Sequence, residues 1–580
     1  MRRNILAILS FALCINAGFL LSISCASEPD PSENTSFPRD KWFFLINNLE
    51  TTEKLTEAIT FASDARQHGL NGVVLSAYLD AITRWPESRI ENLREFKAHC
   101  DKIELEIIPM MFSVGYGGAV LGYNPNLAAA TPFNDVPFIV ENSIAKLDQT
   151  NLNLIKNPGF EKLIGSGQPE GFNLIEKLNE IVFVDRNMKH SGKHSVRLEN
   201  FNLNDNGHAR ISIPLNLKRR TEYEVSIWVK TENLQPSTCL RITPFKPDMS
   251  GSLPAIYSQK FPESTQDWTK YTFRFNSGDF PETKLYFGTW GGKSGKVWLD
   301  DIQVNETATA QDVLKRSGTP MIVQSRDRDI IFEDGIDFEL YEGIKSLKFI
   351  SQPLELKLTP DTRIRPDEHL SVSGYSAARV WKPSGAYQTS LCMSDAQLYE
   401  YWADQIDMLY PILEMKRVFL SMDEIRMGGS CESCKARNMT MAQILGDCVT
   451  LQMSMLRTKD PKMMIYTWSD MFDPNANAKA NYAKVDGSFE NSWEYVPKDL
   501  IMGCWIYEYR QKSLEFFSEH GFETLGSPYY DKKSLEDTYG WYDELLKTDG
   551  AVGIMYTTWK NDFSFLTRFA DYINQKSKEK

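Results

Sequence analysis

The stretch Arg417-Val-Phe-Leu-Ser-Met-Asp-Glu424 is a short apolar run that ends in two adjacent acids, and reading outward from it organises the whole chain. An amphipathic helix is expected before it, from Ser394 to Tyr410, and another after it, from about Thr440 to Arg457. Further apolar runs follow at Met463–Trp468, Leu500–Trp505, Glu523–Pro528 and Ala551–Trp559, with helix expected between them. Upstream the same rhythm is present at Trp42–Asn47, Gly72–Tyr78 and Leu105–Met111, with helical stretches from Thr52 to His68 and Ser88 to Lys102. Short continuous apolar runs separated by amphipathic helices indicate a parallel sheet with helices outside. Three such runs before a long interruption and five after it make eight, which predicts a (β/α)₈ TIM barrel interrupted after its third strand.

The interruption has a different period. From about residue 151 to 305 the chain alternates in twos, as in Glu224-Val-Ser-Ile-Trp-Val-Lys230 and Trp268-Thr-Lys-Tyr-Thr-Phe-Arg-Phe275, which predicts a β-sandwich. The expected organisation is barrel over 40–150, sandwich over 151–305, a small β extension over 306–390 and barrel again over 391–580. Arg2 and Arg3 precede an apolar run from Ile5 to Ile23, so residues 1–25 read as a bacterial export signal, with 26–39 as linker. Ser22-Ile-Ser-Cys25 resembles a lipobox, in which Cys25 would be lipidated. The protein is therefore expected to be exported: periplasmic, a cell-surface lipoprotein, or secreted.

With 580 residues, 42% hydrophobic and 24% charged, the chain has the composition of a multidomain globular protein. A formal net charge of −13 disfavours nucleic acid and anionic membrane as partners, leaving membrane contact to a lipid anchor. The nine cysteines are too scattered for a disulfide scaffold. Cys431-Glu-Ser-Cys434 is the close pair, and without a second pair or histidines at ligand spacing it reads as a local disulfide or two free thiols rather than a metal site.

In such a barrel the chemistry sits at the C-terminal strand ends. There this chain places Asp423 with Glu424, Trp468 with Asp470, Trp505, Tyr529 with Asp531, and Trp559. None of the seven histidines is at a strand end, which disfavours histidine-ligated metal hydrolysis and Ser/His or Cys/His nucleophiles. Carboxylates among aromatics are what glycoside hydrolysis needs: an acid for the leaving oxygen, and negative charge beside the oxocarbenium-like centre. An isolated Asp-Glu is also the composition of a surface turn. Its place at the fourth of eight strands, with aromatics at later strand ends, favours the active-site reading.

Two resemblances extend this. Asn157-Pro-Gly-Phe-Glu161, Pro169-Glu-Gly-Phe172, Ser191-Gly-Lys-His-Ser-Val-Arg197, Ser226-Ile-Trp-Val-Lys230 and Trp298-Leu-Asp-Asp-Ile302 resemble the family 4/9 type of carbohydrate-binding module. That resemblance implies a jelly roll and a structural calcium with ligands including Glu161 and Asp300 or Asp301. The adjacent Asp423-Glu424, Trp468, Tyr529-Tyr-Asp531 and Trp559 resemble glycoside hydrolase family 20, the β-N-acetylhexosaminidases. The resemblance implies an oligo- or polysaccharide substrate and no catalytic cofactor. Glu424 would be the general acid/base, Asp423 would orient a substrate 2-acetamido group, Tyr529 would donate a hydrogen bond to it, and Trp468, Trp505 and Trp559 would wall the pocket. Phe419-Leu-Ser-Met422 stands where that family has His-x-Gly-Gly, and no arginine follows the first strand, so the resemblance reaches the mechanism further than the sugar contacts. Two rivals remain: a glycosidase of another sugar using Glu424 with Asp470, Glu508 or Asp531, and a non-catalytic surface glycan-binding protein.

Overall fold

The computed structural model describes residues 37–579 apart from 149–152, 166, 175, 205, 219–221, 249–261, 278–279, 307–310, 348–352, 382–386 and 481. The leader, Cys25 and most of the linker lie outside the described residues.

Eight parallel strands close into a barrel: β1 (Asp40–Ile46), β2 (Gly72–Ser76), β3 (Glu106–Met111), β4 (Arg417–Leu420), β5 (Met464–Trp468), β6 (Leu500–Cys504), β7 (Thr524–Gly526) and β8 (Ala551–Tyr556). Closure is made where β8 pairs with β1, Trp42 lying opposite Met555. The strand before the interruption pairs with the strand after it through Phe419 opposite Met110 and Leu420 opposite Met111. Alternate side chains point inward, and Trp42, Phe44, Val74, Ile108, Met110, Phe419, Tyr466 and Trp468 pack with others into a solid lumen. The opposite faces of the same strands join the helices in a second, larger core.

The helices outside the barrel are α1 (Thr52–Gln67), α2 (Glu87–Lys102), α3 (Ala396–Leu413), α4 (Met441–Arg457), α5 (Arg510–Glu519), α6 (Glu536–Leu545) and α7 (Leu566–Lys578). Their starts follow local chemistry. At α4 the Thr440 hydroxyl accepts the Gln443 N–H at 3.1 Å while the Gln443 side chain accepts the Thr440 N–H at 2.9 Å, closing a capping box. One expected helix is absent: between β5 and β6 the described residues form the short strand Lys484–Val485 and the 3₁₀ turn Ser492–Tyr495. That segment carries Asp473-Pro-Asn, Gly487 and Pro497, which favour turns over a continuous helix. It brings Asn477 onto Asp470 instead.

Everything between β3 and α3 is inserted at the mouth, and it is nested. Strands 130–141 and 144–147 join 322–325, 331–332, 355–357 and 369–377 in one six-stranded antiparallel sheet with its own core. Residues 130–147 thus belong to the small β unit, not to the barrel segment in which the sequence placed them. The sandwich is inserted within that unit. Its two antiparallel sheets, of five and four strands, enclose a common core that includes Phe160, Val196, Val225, Phe275, Leu285 and Leu299. The chain leaves and returns at one point, where the Leu154 N–H donates to the Val304 carbonyl at 2.9 Å.

Candidate active site

Beyond Leu420 the fourth strand stops being regular, and this places both acids. On a continuing strand Asp423 and Glu424 would face opposite ways. Glu424 instead takes the left-handed conformation, φ 48°, which turns the chain and lets both side chains line one pocket. The turn is held on several sides. The Glu424 N–H donates to Asp470 Oδ2 at 2.9 Å, and its carbonyl accepts from Gln388 Nε2 at 2.8 Å. Gly115 packs so closely that a Cβ there would overlap the Asp423 carbonyl oxygen. A left-handed non-glycine residue costs about 1–3 kcal/mol and persists only where its surroundings enforce it.

The pocket is about 660 Å³ and lies at the C-terminal ends of the barrel strands. Asp423 is buried, and its Oδ1 accepts the Ser421 hydroxyl at 3.1 Å. The Glu424 carboxylate is held from two sides: Arg426 pairs with Oε1 at 2.7 Å, and the Tyr116 hydroxyl donates to Oε2. Trp468 forms the floor, buried against Phe44 and Phe419. Trp505 and Tyr530 stack 5.2 Å apart and nearly parallel, and Trp559 stands at the rim, 39% exposed, edge-on to Tyr530. Burial, and then the neighbouring charges of Asp423 and Glu424, raise the Tyr530 hydroxyl above the usual tyrosine range, so it remains a donor.

Asp470 is fully buried directly behind the pair. Its Oδ2 accepts the Glu424 N–H and the Asn477 amide at 2.7 Å, and Oδ1 accepts the Trp505 indole N–H at 3.3 Å. Burial pushes it up to about 7, with the Asp423 charge adding to the effect. Asp531 lines the pocket and accepts the N–H of Trp559 at 2.9 Å and of Lys560 at 3.3 Å, fixing the turn that carries the rim tryptophan.

The structure thus gathers Asp423, Glu424, Trp468, Trp505, Asp531 and Trp559 around one pocket and sets Asp470 behind it. Tyr529 is the correction. Residues 529–531 are consecutively left-handed, with φ of 75°, 50° and 59°, and this shifts the register by one. Tyr529 turns into the barrel wall, stacked 4.5 Å from Tyr556 with its hydroxyl on Asp562 at 2.8 Å, and Tyr530 takes the pocket position. Arg426 follows the pair in extended chain and grips Glu424. Tyr116 was missed because it arrives on the loop after β3; an aromatic at a barrel strand end was the signal available for it.

In the sandwich, the expected calcium ligands lie around Gly159. A Cβ on Gly159 would lie 3.3 Å from Asp301 Oδ1, 3.7 Å from Asp300 Oδ1 and 3.7 Å from Glu161 Oε1. Glu161 also accepts the Lys193 N–H at 2.7 Å and Asp300 the His190 N–H at 2.8 Å, which orients both carboxylates. Three such oxygen donors fit a hard cation.

Residues 152–296 match the carbohydrate binding domain family. That domain is the sandwich. No curated protein matches the chain in sequence. Among solved structures, the chain is similar to a rhamnosidase from Novosphingobium sp. PP1Y, at 10% identity and a TM-score of 0.38, over 93% of this chain and 59% of that one. It is similar to a Flavobacterium johnsoniae chitobiase at 8% identity and a TM-score of 0.34, over 94% of this chain and 52% of that one, so it spans little more than half of either length. The domain is similar to a CBM61 solved with β-1,4-galactotriose, at 18% identity and a TM-score of 0.19, over 27% of this chain and 98% of that one.

Proposed function

We propose that the chain is an exported glycoside hydrolase that cleaves glycosidic bonds of 2-acetamido sugars with the substrate's own acetamido group as nucleophile. The observation that carries this reading is the convergence of two consecutive carboxyl groups, Asp423 and Glu424, on one aromatic-walled pocket. Glu424 donates a proton to the leaving oxygen as the C1–O bond breaks. The acetamido oxygen attacks C1, and Asp423 accepts the acetamido N–H and balances the positive charge of the oxazoline-type intermediate. Water then opens that ring and gives its proton to Glu424, which restores the enzyme. Tyr530 takes the donor role that the sequence assigned to its neighbour.

The two-carboxylate reading has less support. Asp470 is fully buried with both oxygens engaged, the Asp531 oxygens hold the 558–560 turn, and Glu508 lines a separate pocket. In the sandwich, Glu161, Asp300 and Asp301 would hold a calcium ion that ties the loop 190–194 to the core. In catalysis itself no cofactor takes part.

The test is a screen of the full chain on nitrophenyl glycosides with and without a 2-acetamido group, run beside Glu424→Gln. Turnover restricted to acetamido sugars and lost in Glu424→Gln is expected. Equal turnover of sugars lacking that group rejects the substrate-assisted scheme, and glycan binding without turnover favours the non-catalytic reading.

A further inference from the structure

Seven residues beyond Glu424, the close pair Cys431 and Cys434 is not alone. Cys392, some forty residues upstream, packs against both, and all three thiols are buried. Their sulfur atoms stand 3.6 Å (Cys392 to Cys431), 3.8 Å (Cys392 to Cys434) and 3.6 Å (Cys431 to Cys434) apart. Tetrahedral zinc holds thiolates at about 2.3 Å, which puts ligand sulfurs about 3.8 Å from one another. A disulfide would join two of the three and leave the third thiol stranded beside it. Thiols bonded to one another are weak donors meeting weak acceptors in a buried site.

A buried cation stands beside the sulfurs. Arg316, almost wholly buried and paired with Asp395 at 3.1 Å, sets a positive charge against Cys392 and Cys431. Cys431 opens the short helix Glu432–Ala436, and its carbonyl accepts the N–H groups of Cys434 and Lys435 at 3.1 and 3.0 Å, the tight turn that lets a C-x-x-C pair face one point. Beside the sulfurs is a cavity of about 10 Å³, bounded by Leu391, Gly428, Gly429 and Met441, about the space of a single water. We propose that Cys392, Cys431 and Cys434 form a three-thiolate zinc site, with water as the fourth ligand, that staples the loop after β4 to the segment 388–392. The same segment bonds the catalytic loop through Gln388, so the metal would be structural and set behind the active site. This site stands independently of the glycosidase reading.

The test uses the full chain, purified reduced and without chelator. Elemental analysis should find about one zinc per chain, released by an organomercurial that titrates the thiols. Exchange for Co²⁺ should give thiolate-to-cobalt charge-transfer absorption. Cys392→Ser and Cys434→Ser should lower zinc content severalfold, and Cys239→Ser, in the sandwich, should leave it unchanged. The proposal is overturned if the reduced native chain takes up neither Zn²⁺ nor Co²⁺. It is equally overturned if the cobalt spectrum survives Cys392→Ser, or if intact mass shows a disulfide between two of the three in the native chain. Because the unsubstituted chain decides the matter, a variant that fails to fold leaves the test standing.

Discussion

Asp470 Oδ2 accepts the backbone N–H of Glu424 at 2.9 Å, so a buried carboxyl at the end of one barrel strand fixes the conformation of the acid at the end of its neighbour. Asp470 does not line the pocket, yet it holds the left-handed turn at Glu424. Asp470→Ala should leave a buried N–H unpaired at a cost of about 1–3 kcal/mol and should lower kcat more than it raises KM. Denaturant unfolding beside steady-state kinetics checks this.

The same group makes stability depend on pH. Its acidity is displaced from 3.8 to about 7, so between those values the native state keeps a proton that the unfolded chain has released. Stability from this group therefore falls as pH rises through that window and is level on either side. Asp470→Asn, which mimics the protonated form, should gain on the parent across it, by at most about 1.4 kcal/mol per pH unit. A difference that is constant from pH 4 to 7 would contradict the assignment.

Adjacent tyrosines should separate cleanly. Tyr529→Phe loses the hydrogen bond to Asp562 and should cost about 1–3 kcal/mol of stability with kcat unchanged. Tyr530→Phe should keep the melting temperature and lower kcat/KM about tenfold, the worth of one hydrogen bond of about 1.4 kcal/mol. Reversal of the two results would restore the register expected from sequence.

Trp559 stands at the rim, edge-on to Tyr530 and stabilised by Asp531. Trp559→Ala should raise KM about three- to tenfold through lost ring contact while leaving the pH profile of kcat in place.

Gly115→Ala adds one methyl group where the Asp423 carbonyl already sits. It should destabilise the chain by about 1–3 kcal/mol and abolish turnover, since relief of the overlap must move the acid pair. An active, fully stable variant would show that this close approach is not needed.

Much of the architecture was legible in the sequence because periodicity carried it. Apolar runs such as Val418–Leu420, alternating with amphipathic helices, indicate strands buried on both faces, and counting them predicted the barrel and its interruption. The acid pair was legible because it terminates one of those runs. What failed was whatever depended on backbone handedness or on distant segments. Tyr529 and Tyr530 are alike in composition, and only three successive left-handed residues decide which one faces the pocket. Residues 130–147 form a local hairpin whose other partners lie more than two hundred residues later. Cys392 joins the other two cysteines from 39 residues upstream, across a whole helix and strand, which spacing within a motif does not reveal.

The hydrogen bond from Leu154 to Val304 brings the two ends of the sandwich side by side. A domain attached at a single doubled stem is a portable cassette. Cutting it out and bridging the stem with a few residues leaves every barrel pairing in place, so the gene segment can be lost, exchanged or regrafted without the host barrel having to refold around a new path.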